Sequence, residues 1–156
     1  MYPEDAEDAL GRAIAKHGGI LRPPAGADAP FLATQRLQAT FSEGYLRFLS
    51  RVANGTAQRD RNGWCFWSAE TLRFLPSARK MFGQSVLPEA ANPEIYVVLA
   101  DKSEGEKLLV FRRLRPSNVT PHYYLVSGNK IFEYAKYFEE LVRNYESGKG
   151  YESATV

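Results

Sequence analysis

The stretch from Ile95 to Val126 reads IYVVLADKSEGEKLLVFRRLRPSNVTPHYYLV and contains three short apolar runs rich in β-branched and aromatic residues. The runs are residues 95–100, 108–111 and 122–126, and polar or proline-containing segments separate them. Such runs predict strands, and connections this short favour antiparallel neighbours. We therefore expect a small antiparallel sheet in the second half of the chain.

Helical patterns lie on both sides of these strands. Apolar residues recur at helical spacing in residues 5–17 and 42–53, and residues 76–83 predict another short helix. The longest pattern is an unbroken i, i+3, i+4, i+7 series over residues 131–145. Together the elements predict an α+β fold: a small antiparallel sheet with helices packed on one face, N-terminal helices and a closing C-terminal helix.

The 156 residues are enough for one domain, and the composition divides them into three parts. Residues 1–30 are predicted to form an N-terminal helix and a Gly/Pro-rich connector that includes Pro23-Pro24. Residues 31–148 carry the α+β pattern. Residues 149–156 are expected to be a flexible tail.

Charge and cysteine content restrict the classes of protein. The formal net charge is +2, which is too mild to indicate nucleic-acid binding by itself. Residues 41–90 are the most basic part, with seven basic and four acidic residues. No apolar run approaches the length of a membrane-spanning helix, and the acidic start differs from a signal peptide. With only one cysteine, the sequence predicts a cytoplasmic protein that has no membrane segment.

The reactive side chains form no pattern typical of an active site. Cys65 lies between Trp64 and Phe66, and we expect it to be a buried and inert thiol. Together with His17 and His122, it matches no known ligand spacing for a metal. We therefore expect no enzymatic activity, no cofactor and no metal.

The aromatic residues are the remaining signal. In a strand, Trp64 and Phe66 face one side while Cys65 and Trp67 face the other, so either both sides are buried or one binds a partner. The loop 58–64 and the turn 101–106 are polar and are expected to be exposed beside these aromatic side chains. The candidate partner-binding residues are Arg59, Arg61, Trp64, Trp67, Asp101 and Glu104.

The segment FSEGYLRFL at residues 41–49, followed by Asn54-Gly55, resembles the LPxxYxxFLxxxNG helix of the SUKH superfamily. This superfamily includes cell-wall-assembly-regulator-like proteins and immunity proteins against polymorphic toxins. Residues 66–72, 95–101 and 132–145 are similar, in the same order, to its strand-to-helix segment, its central strand and its closing helix. The resemblance covers roughly residues 31–146.

Two segments depart from the family pattern. Phe41-Ser42 stands where the family has Leu-Pro, and residues 102–106 replace a glycine-rich acidic turn. Both departures affect the choice of subfamily more than the fold.

The resemblance implies a protein-binding role, most often that of a bacterial immunity protein that neutralises a toxin by binding it. A regulatory scaffold and a small-ligand or nucleic-acid binding module remain alternatives, with nucleic acid the minor one. An inhibitor of a basic nuclease should present an acidic surface, because charge complementarity speeds capture. The net charge of +2 does not match that expectation, unless Glu133, Glu139 and Glu140 form a local acidic patch.

Overall fold

The computed structural model describes residues 5–84, 96–112, 121–128 and 130–148. The helices are α1 (Ala6–Lys16), α2 (Asp28–Leu37), α3 (Glu43–Arg47), α4 (Leu75–Met81) and α5 (Phe138–Glu146). A π-helical turn, Phe48–Val52, continues α3, and a 3-10 turn, Ala69–Thr71, precedes the fourth strand. The strands are β1 (Ile20–Leu21), β2 (Thr56–Gln58), β3 (Trp64–Phe66), β4 (Arg73–Phe74), β5 (Tyr96–Lys102), β6 (Lys107–Arg112), β7 (Tyr123–Ser127) and β8 (Lys130–Ala135).

The main sheet is antiparallel and follows the order β3-β5-β6-β7-β8, with β4 also paired to β5. Strands β5, β6 and β7 confirm the expected meander, and Leu109 of β6 pairs with Ala100 on one side and Leu125 on the other. Strands β1 and β2 form a separate two-stranded sheet. The α+β class predicted from the sequence is confirmed.

The helix predicted from residue 131 onwards is wrong over its first seven residues, 131–137. Residues 130–135 form β8, which pairs with β7 through Val126 and Ile131, and α5 begins only at Phe138. The series 131, 134, 135, 138 fits a helix, but the edge of β7 offers a complete ladder of backbone hydrogen bonds. Tyr137 has extended backbone angles, and Glu140 accepts a hydrogen bond from the Lys136 N–H at 2.7 Å, so the helix starts there.

The N-terminal third contains the expected α1 and α3 and two elements that the sequence did not indicate. Strand β1 and the start of α2 lie within the segment interpreted as a connector. The π-helical turn helps to hold this segment, because the carbonyls of Leu49 and Ser50 accept hydrogen bonds from the N–H groups of Ala25 and Gly26. The connector is therefore fixed to the domain at this point.

One face of the sheet packs against the N-terminal helices and α5 in a single apolar core. The ring of Phe111 contacts Phe41 at 5.1 Å between centroids, and Phe66 contacts Tyr145 at the same distance. Helix α1 contributes the buried residues Leu10 and Ile14 to this core. Helices α1 and α5 pack directly against each other.

Helix α4 lies on the opposite side of the sheet, so the prediction that the helices pack on one face is wrong for this helix. Phe82, just after α4, packs against Trp67 with ring centroids 6.3 Å apart, and Arg79 donates a hydrogen bond to the Gly128 carbonyl. Gly105 has φ +100°, and a Cβ there would lie 2.6 Å from the Phe82 ring. The turn after β5 can therefore approach α4 because residue 105 is glycine.

Two expectations fall outside the described residues: the start of the predicted strand at Ile95 and the tail 149–156. In the part of the chain that the structure describes, no helix has the length and apolar character needed to cross a bilayer.

Candidate functional site

The two loops predicted to bind a partner lie next to each other. The Ser103 N–H donates a 2.9 Å hydrogen bond to the Gly63 carbonyl, and Trp64 pairs with Lys102 across β3 and β5. Gly63 has φ +92°, and a Cβ at this position would meet Ser103 Oγ at 2.6 Å. The loop between β2 and β3 is thus fixed against the turn between β5 and β6.

Asp101 is buried, so the expectation that it lies exposed in a polar turn is wrong. Strand β5 continues through Lys102, and the side chain of Asp101 is 2% exposed. Its carboxylate accepts hydrogen bonds from Arg59 Nη1 at 2.8 Å and from Trp67 Nε1 at 2.7 Å. A carboxylate can be buried at this depth because its two oxygens have these partners.

Both tryptophans are buried, so neither provides the exposed aromatic patch that was one of the two alternatives. Trp64 is 3% exposed and Trp67 is 7% exposed. Trp64 and Phe66 face the helix-covered side, where Phe66 contacts Tyr145. Trp67 and Cys65 face the side of α4, where Trp67 packs against Phe82. Trp67 therefore contributes to a possible binding surface mainly by orienting Asp101.

Arg61 and Glu104 are exposed but do not join the Arg59–Asp101–Trp67 cluster. The Arg61 guanidinium donates a hydrogen bond to the Lys16 carbonyl at 2.9 Å, and its backbone N–H donates to the His17 carbonyl at 2.8 Å. A cation at the C-terminal end of α1 also interacts favourably with the helix dipole. Glu104 lies in the β5–β6 turn with φ +60°.

Arg59, Trp67 and Asp101 line an open depression on the side of α4. Its volume is about 290 Å³. Hereafter "the depression" denotes the surface lined by Arg22, Thr56, Arg59, Cys65, Phe66, Trp67, Ser68, Thr71, Arg73, Met81, Phe82 and Asp101. Of the six residues predicted from the sequence, it contains these three and leaves out Arg61, Trp64 and Glu104.

The depression is positively charged. Among the described residues that line it there are three guanidinium groups and one carboxylate, and that carboxylate is already paired with Arg59. Arg22 donates through Nε to the Thr56 carbonyl and Arg73 to the Thr71 carbonyl, both at 3.3 Å. Neither forms an ion pair within 4.0 Å among the residues described here. Two positive charges are thus available to a ligand.

One acidic side chain lies close enough to Arg22 to interact with it. Asn54 donates a 2.9 Å hydrogen bond to Glu70, which is the main reason why the pKa of Glu70 lies below its usual value. The positive charge of Arg22 lowers the same pKa further, as a smaller contribution. Glu70 is exposed and does not line the depression.

Cys65 is half-buried and lines the depression, so the expectation of a fully buried thiol is wrong. Its Sγ lies 3.3 Å from the Thr56 hydroxyl. The two histidines have other partners: His17 Nε2 lies 3.1 Å from the Glu146 carbonyl, and His122 Nδ1 lies 3.2 Å from Glu133. Across the described ranges, no three His, Cys, Asp or Glu side chains are grouped so as to hold a metal ion.

Sequence reasoning missed four residues that shape this site: Arg22, Asp60, Arg73 and Met81. Three of them line the depression: the pairing of β1 with β2 brings Arg22 there, the pairing of β4 with β5 brings Arg73, and the packing of α4 against β5 brings Met81, so no local pattern reveals them. Asp60 is different. Its carboxylate accepts from the N–H of Asn62 at 2.8 Å, an Asx turn that the residues Asp60-Arg61-Asn62-Gly63 could have indicated.

Asp60, the neighbour of Arg59 in the sequence, holds the same loop from the helix-covered side. It is 5% exposed and accepts from the Trp64 N–H at 2.9 Å and from the Tyr145 hydroxyl at 2.6 Å. The loop between β2 and β3 is therefore attached to α5 by Asp60 and to β5 by Arg59. Both attachments are buried or partly buried, so they restrain the loop.

A second apolar surface lies on α2. Phe31 and Leu32 are 59% and 58% exposed, and Phe31 lines a groove of about 350 Å³ together with Leu46 of α3. Exposed apolar residues at adjacent positions are common at protein interfaces. This groove lies outside the loops predicted from the sequence.

Neither the family models nor the curated proteins compared with the sequence match this chain. The resemblance to the SUKH superfamily therefore rests on the order of its motifs alone.

Proposed function

We propose that this chain is a non-enzymatic domain that binds a protein, and that its role is to neutralise a bacterial toxin as an immunity protein. The observation that carries the protein-binding part is the fixed, arginine-lined depression beside two loops that are tied to each other. The toxin part is supported by the resemblance of residues 31–146 to immunity proteins of the SUKH superfamily.

The composition of the depression favours a protein partner. Arginine, tryptophan and methionine are enriched at protein interfaces, and all three line it. Met81 is half-exposed, and Phe82 forms part of the apolar wall beside it. An interface of this kind combines an apolar centre with charged groups at its rim.

Preorganisation also favours binding. Arg59 is one-third exposed, yet its guanidinium is held by Asp101 and by the Gly63 carbonyl, 2.9 Å away. A side chain that is already ordered loses little conformational entropy when a partner binds, whereas ordering a free arginine costs about 0.5–1.5 kcal/mol. The site is therefore arranged before the partner arrives.

The test is capture of a partner followed by a growth assay. The tagged chain is incubated with lysate from its native source, with and without nuclease treatment. We expect one stoichiometric protein that survives nuclease. When expressed alone in a bacterial host it should arrest growth, and co-expression of this chain should restore growth. A harmless partner would contradict the toxin part, and loss of every partner on nuclease treatment would contradict protein binding.

A small-ligand module is the second candidate, and the depression itself favours it. A volume of about 290 Å³ is at the lower limit for a small-molecule pocket. Under this alternative, native mass spectrometry of the protein purified from its source would show a bound small molecule, and replacing Met81 by glutamine would remove it. Under the leading proposal, the same spectrum shows the bare chain or a protein complex.

A further inference from the structure

We propose that the depression recognises an acidic segment of the partner protein that inserts one apolar side chain. This inference rests on the proposed protein-binding function and specifies the chemistry of the segment that is bound. It follows from the separation of charge and apolar surface within the depression.

The charge argument starts from Asp101. Because this carboxylate is buried and its charge is already paired with Arg59, it offers little attraction to a cationic group of a ligand. Arg22 and Arg73 donate only to backbone carbonyls through Nε, so their terminal N–H groups remain available in the described structure. Guanidinium groups bind carboxylates through paired hydrogen bonds. The depression therefore selects a ligand that carries carboxylates.

The apolar argument starts from Met81. Its side chain lies at the end of α4 and is 50% exposed. An unbranched thioether adapts its shape to an apolar partner, so Met81 is suited to contact one. Phe82 and Cys65 extend this surface towards Trp67. A leucine-sized side chain is small enough to enter a depression of about 290 Å³, where it would contact Met81 while the arginines bind the carboxylates.

The same surface is poorly suited to nucleic acid. Single-stranded bases stack on exposed aromatic rings, but Trp67 is 7% exposed and Phe66 is 2% exposed. Phe82 is only half-exposed and its ring already packs against Trp67. Apolar contact without an available stacking platform favours a peptide.

The first measurement is a titration of the isotope-labelled full-length chain followed through its two tryptophan indole N–H signals. The probe is a short synthetic peptide in which one leucine is flanked by aspartate and glutamate. Trp67 lines the depression and Trp64 does not, so Trp64 is an internal control. We expect the Trp67 signal to move at peptide concentrations up to about 1 mM, while the Trp64 signal stays in place.

Two control peptides test the two parts of the inference. Replacing the acidic residues of the peptide by lysine should abolish the shift, and replacing the leucine by glycine should weaken binding about tenfold. If inorganic phosphate moves the Trp67 signal as far as the acidic peptide does, the site takes a simple anion and the inference is overturned. An oligonucleotide that binds more tightly than the peptide also overturns it.

Variants of the chain identify the residues involved. Arg22→Glu/Arg73→Glu should weaken peptide binding at least about tenfold, because two attractive charge pairs become repulsive. The milder Arg22→Gln/Arg73→Gln variant is less prone to misfold. Its affinity for the peptide should lie between that of Arg22→Glu/Arg73→Glu and that of the wild type. Arg51→Glu is the matched control, since Arg51 is exposed and lies outside the depression. Equal losses in all three variants would overturn the inference.

The same variants separate failure of the inference from failure of the proposed function. If the captured partner still binds Arg22→Glu/Arg73→Glu with wild-type affinity, the acidic-segment inference is wrong and the protein-binding function stands. If no protein is captured by the wild-type chain, the proposed function itself is wrong.

Discussion

Two buried aspartates hold the β2–β3 loop, Asp60 from within the loop and Asp101 from strand β5, and their partners differ. Asp60 accepts hydrogen bonds from neutral donors: two backbone N–H groups and the Tyr145 hydroxyl. Asp101 accepts one from the Trp67 indole and one from a charged arginine that remains one-third exposed. The Asp60 side is closed by α5, whereas the Asp101 side opens into the depression. The hydrogen bonds of Asp60 therefore stabilise the fold, whereas the ion pair of Asp101 holds the Arg59 guanidinium at the surface.

The largest effect that this comparison predicts is at Asp60. Asp60→Ala removes the acceptor of hydrogen bonds from the Asn62 and Trp64 N–H groups and from the buried Tyr145 hydroxyl, and we expect a loss of about 3 kcal/mol in the free energy of unfolding. Urea denaturation measures this loss. The exposed Glu104→Ala is the control and should change the value by less than about 0.5 kcal/mol. If Asp60→Ala lowers the free energy of unfolding as little as the control does, Asp60 does not stabilise the fold.

A smaller loss is expected at Asp101. Asp101→Ala leaves the Trp67 indole N–H unpaired, but the Arg59 guanidinium can turn into water, so we expect about 2 kcal/mol. A double-mutant cycle with Arg59→Met should give a coupling energy of about 1–2 kcal/mol, since each residue is the other's charged partner. Additive effects would show that the ion pair contributes nothing and that Asp101 acts through Trp67 alone.

Most helices and strands could be predicted from the sequence, whereas the contacts between distant residues could not. The strands β5 to β7, α1, α3 and α4 follow from local periodicity, because each is a single apolar pattern bounded by polar or turn residues. The segment 131–145 was assigned to one helix because its apolar spacing fits a helix, while the partner strand β7 that overrides this spacing is invisible in a local pattern. The general position of the β2–β3 loop was also predictable.

The depression required contacts between distant residues. Arg22 and Arg59 lie 37 positions apart in sequence and meet through the pairing of β1 with β2. Asp101 was expected to be exposed because charged residues usually are, and only the position of Arg59 and Trp67 makes its burial possible. Sequence patterns therefore identified charged residues in the right loops but assigned the wrong exposure to them.

Two buried tyrosines on the helix-covered side of the sheet predict that the stability of the fold depends on pH. Burial raises the pKa of Tyr45 well above its ordinary value of about 10, and burial likewise raises that of Tyr123. Above about pH 10 the unfolded chain releases these protons while the native state keeps them, so stability falls as pH rises. Each tyrosine should contribute up to about 1.4 kcal/mol per pH unit, and below pH 10 the effect should be absent.

Tyr45→Phe tests this dependence without a large structural cost, because the Tyr45 hydroxyl is buried and makes no hydrogen bond. The variant should be within about 1 kcal/mol of the wild type near neutral pH and should lose stability less steeply above pH 10. Tyr137→Phe, at an exposed tyrosine, is the control and should keep the wild-type slope. An unchanged slope in Tyr45→Phe would mean that Tyr45 is not protected from ionisation.

The smallest predicted effect distinguishes Arg59 from Arg61, which the sequence analysis predicts to lie in one binding site. Arg59 lines the depression, whereas Arg61 caps the C-terminal end of α1 through the Lys16 carbonyl. Arg61→Glu should therefore cost about 0.5–1 kcal/mol of stability, because it replaces a favourable charge at that helix end by an unfavourable one. It should leave binding of the acidic peptide within about twofold of the wild type, while Arg59→Glu weakens that binding. If the two variants weaken peptide binding equally, the binding surface also includes Arg61 at the exposed end of the loop, and the two arginines act in one site.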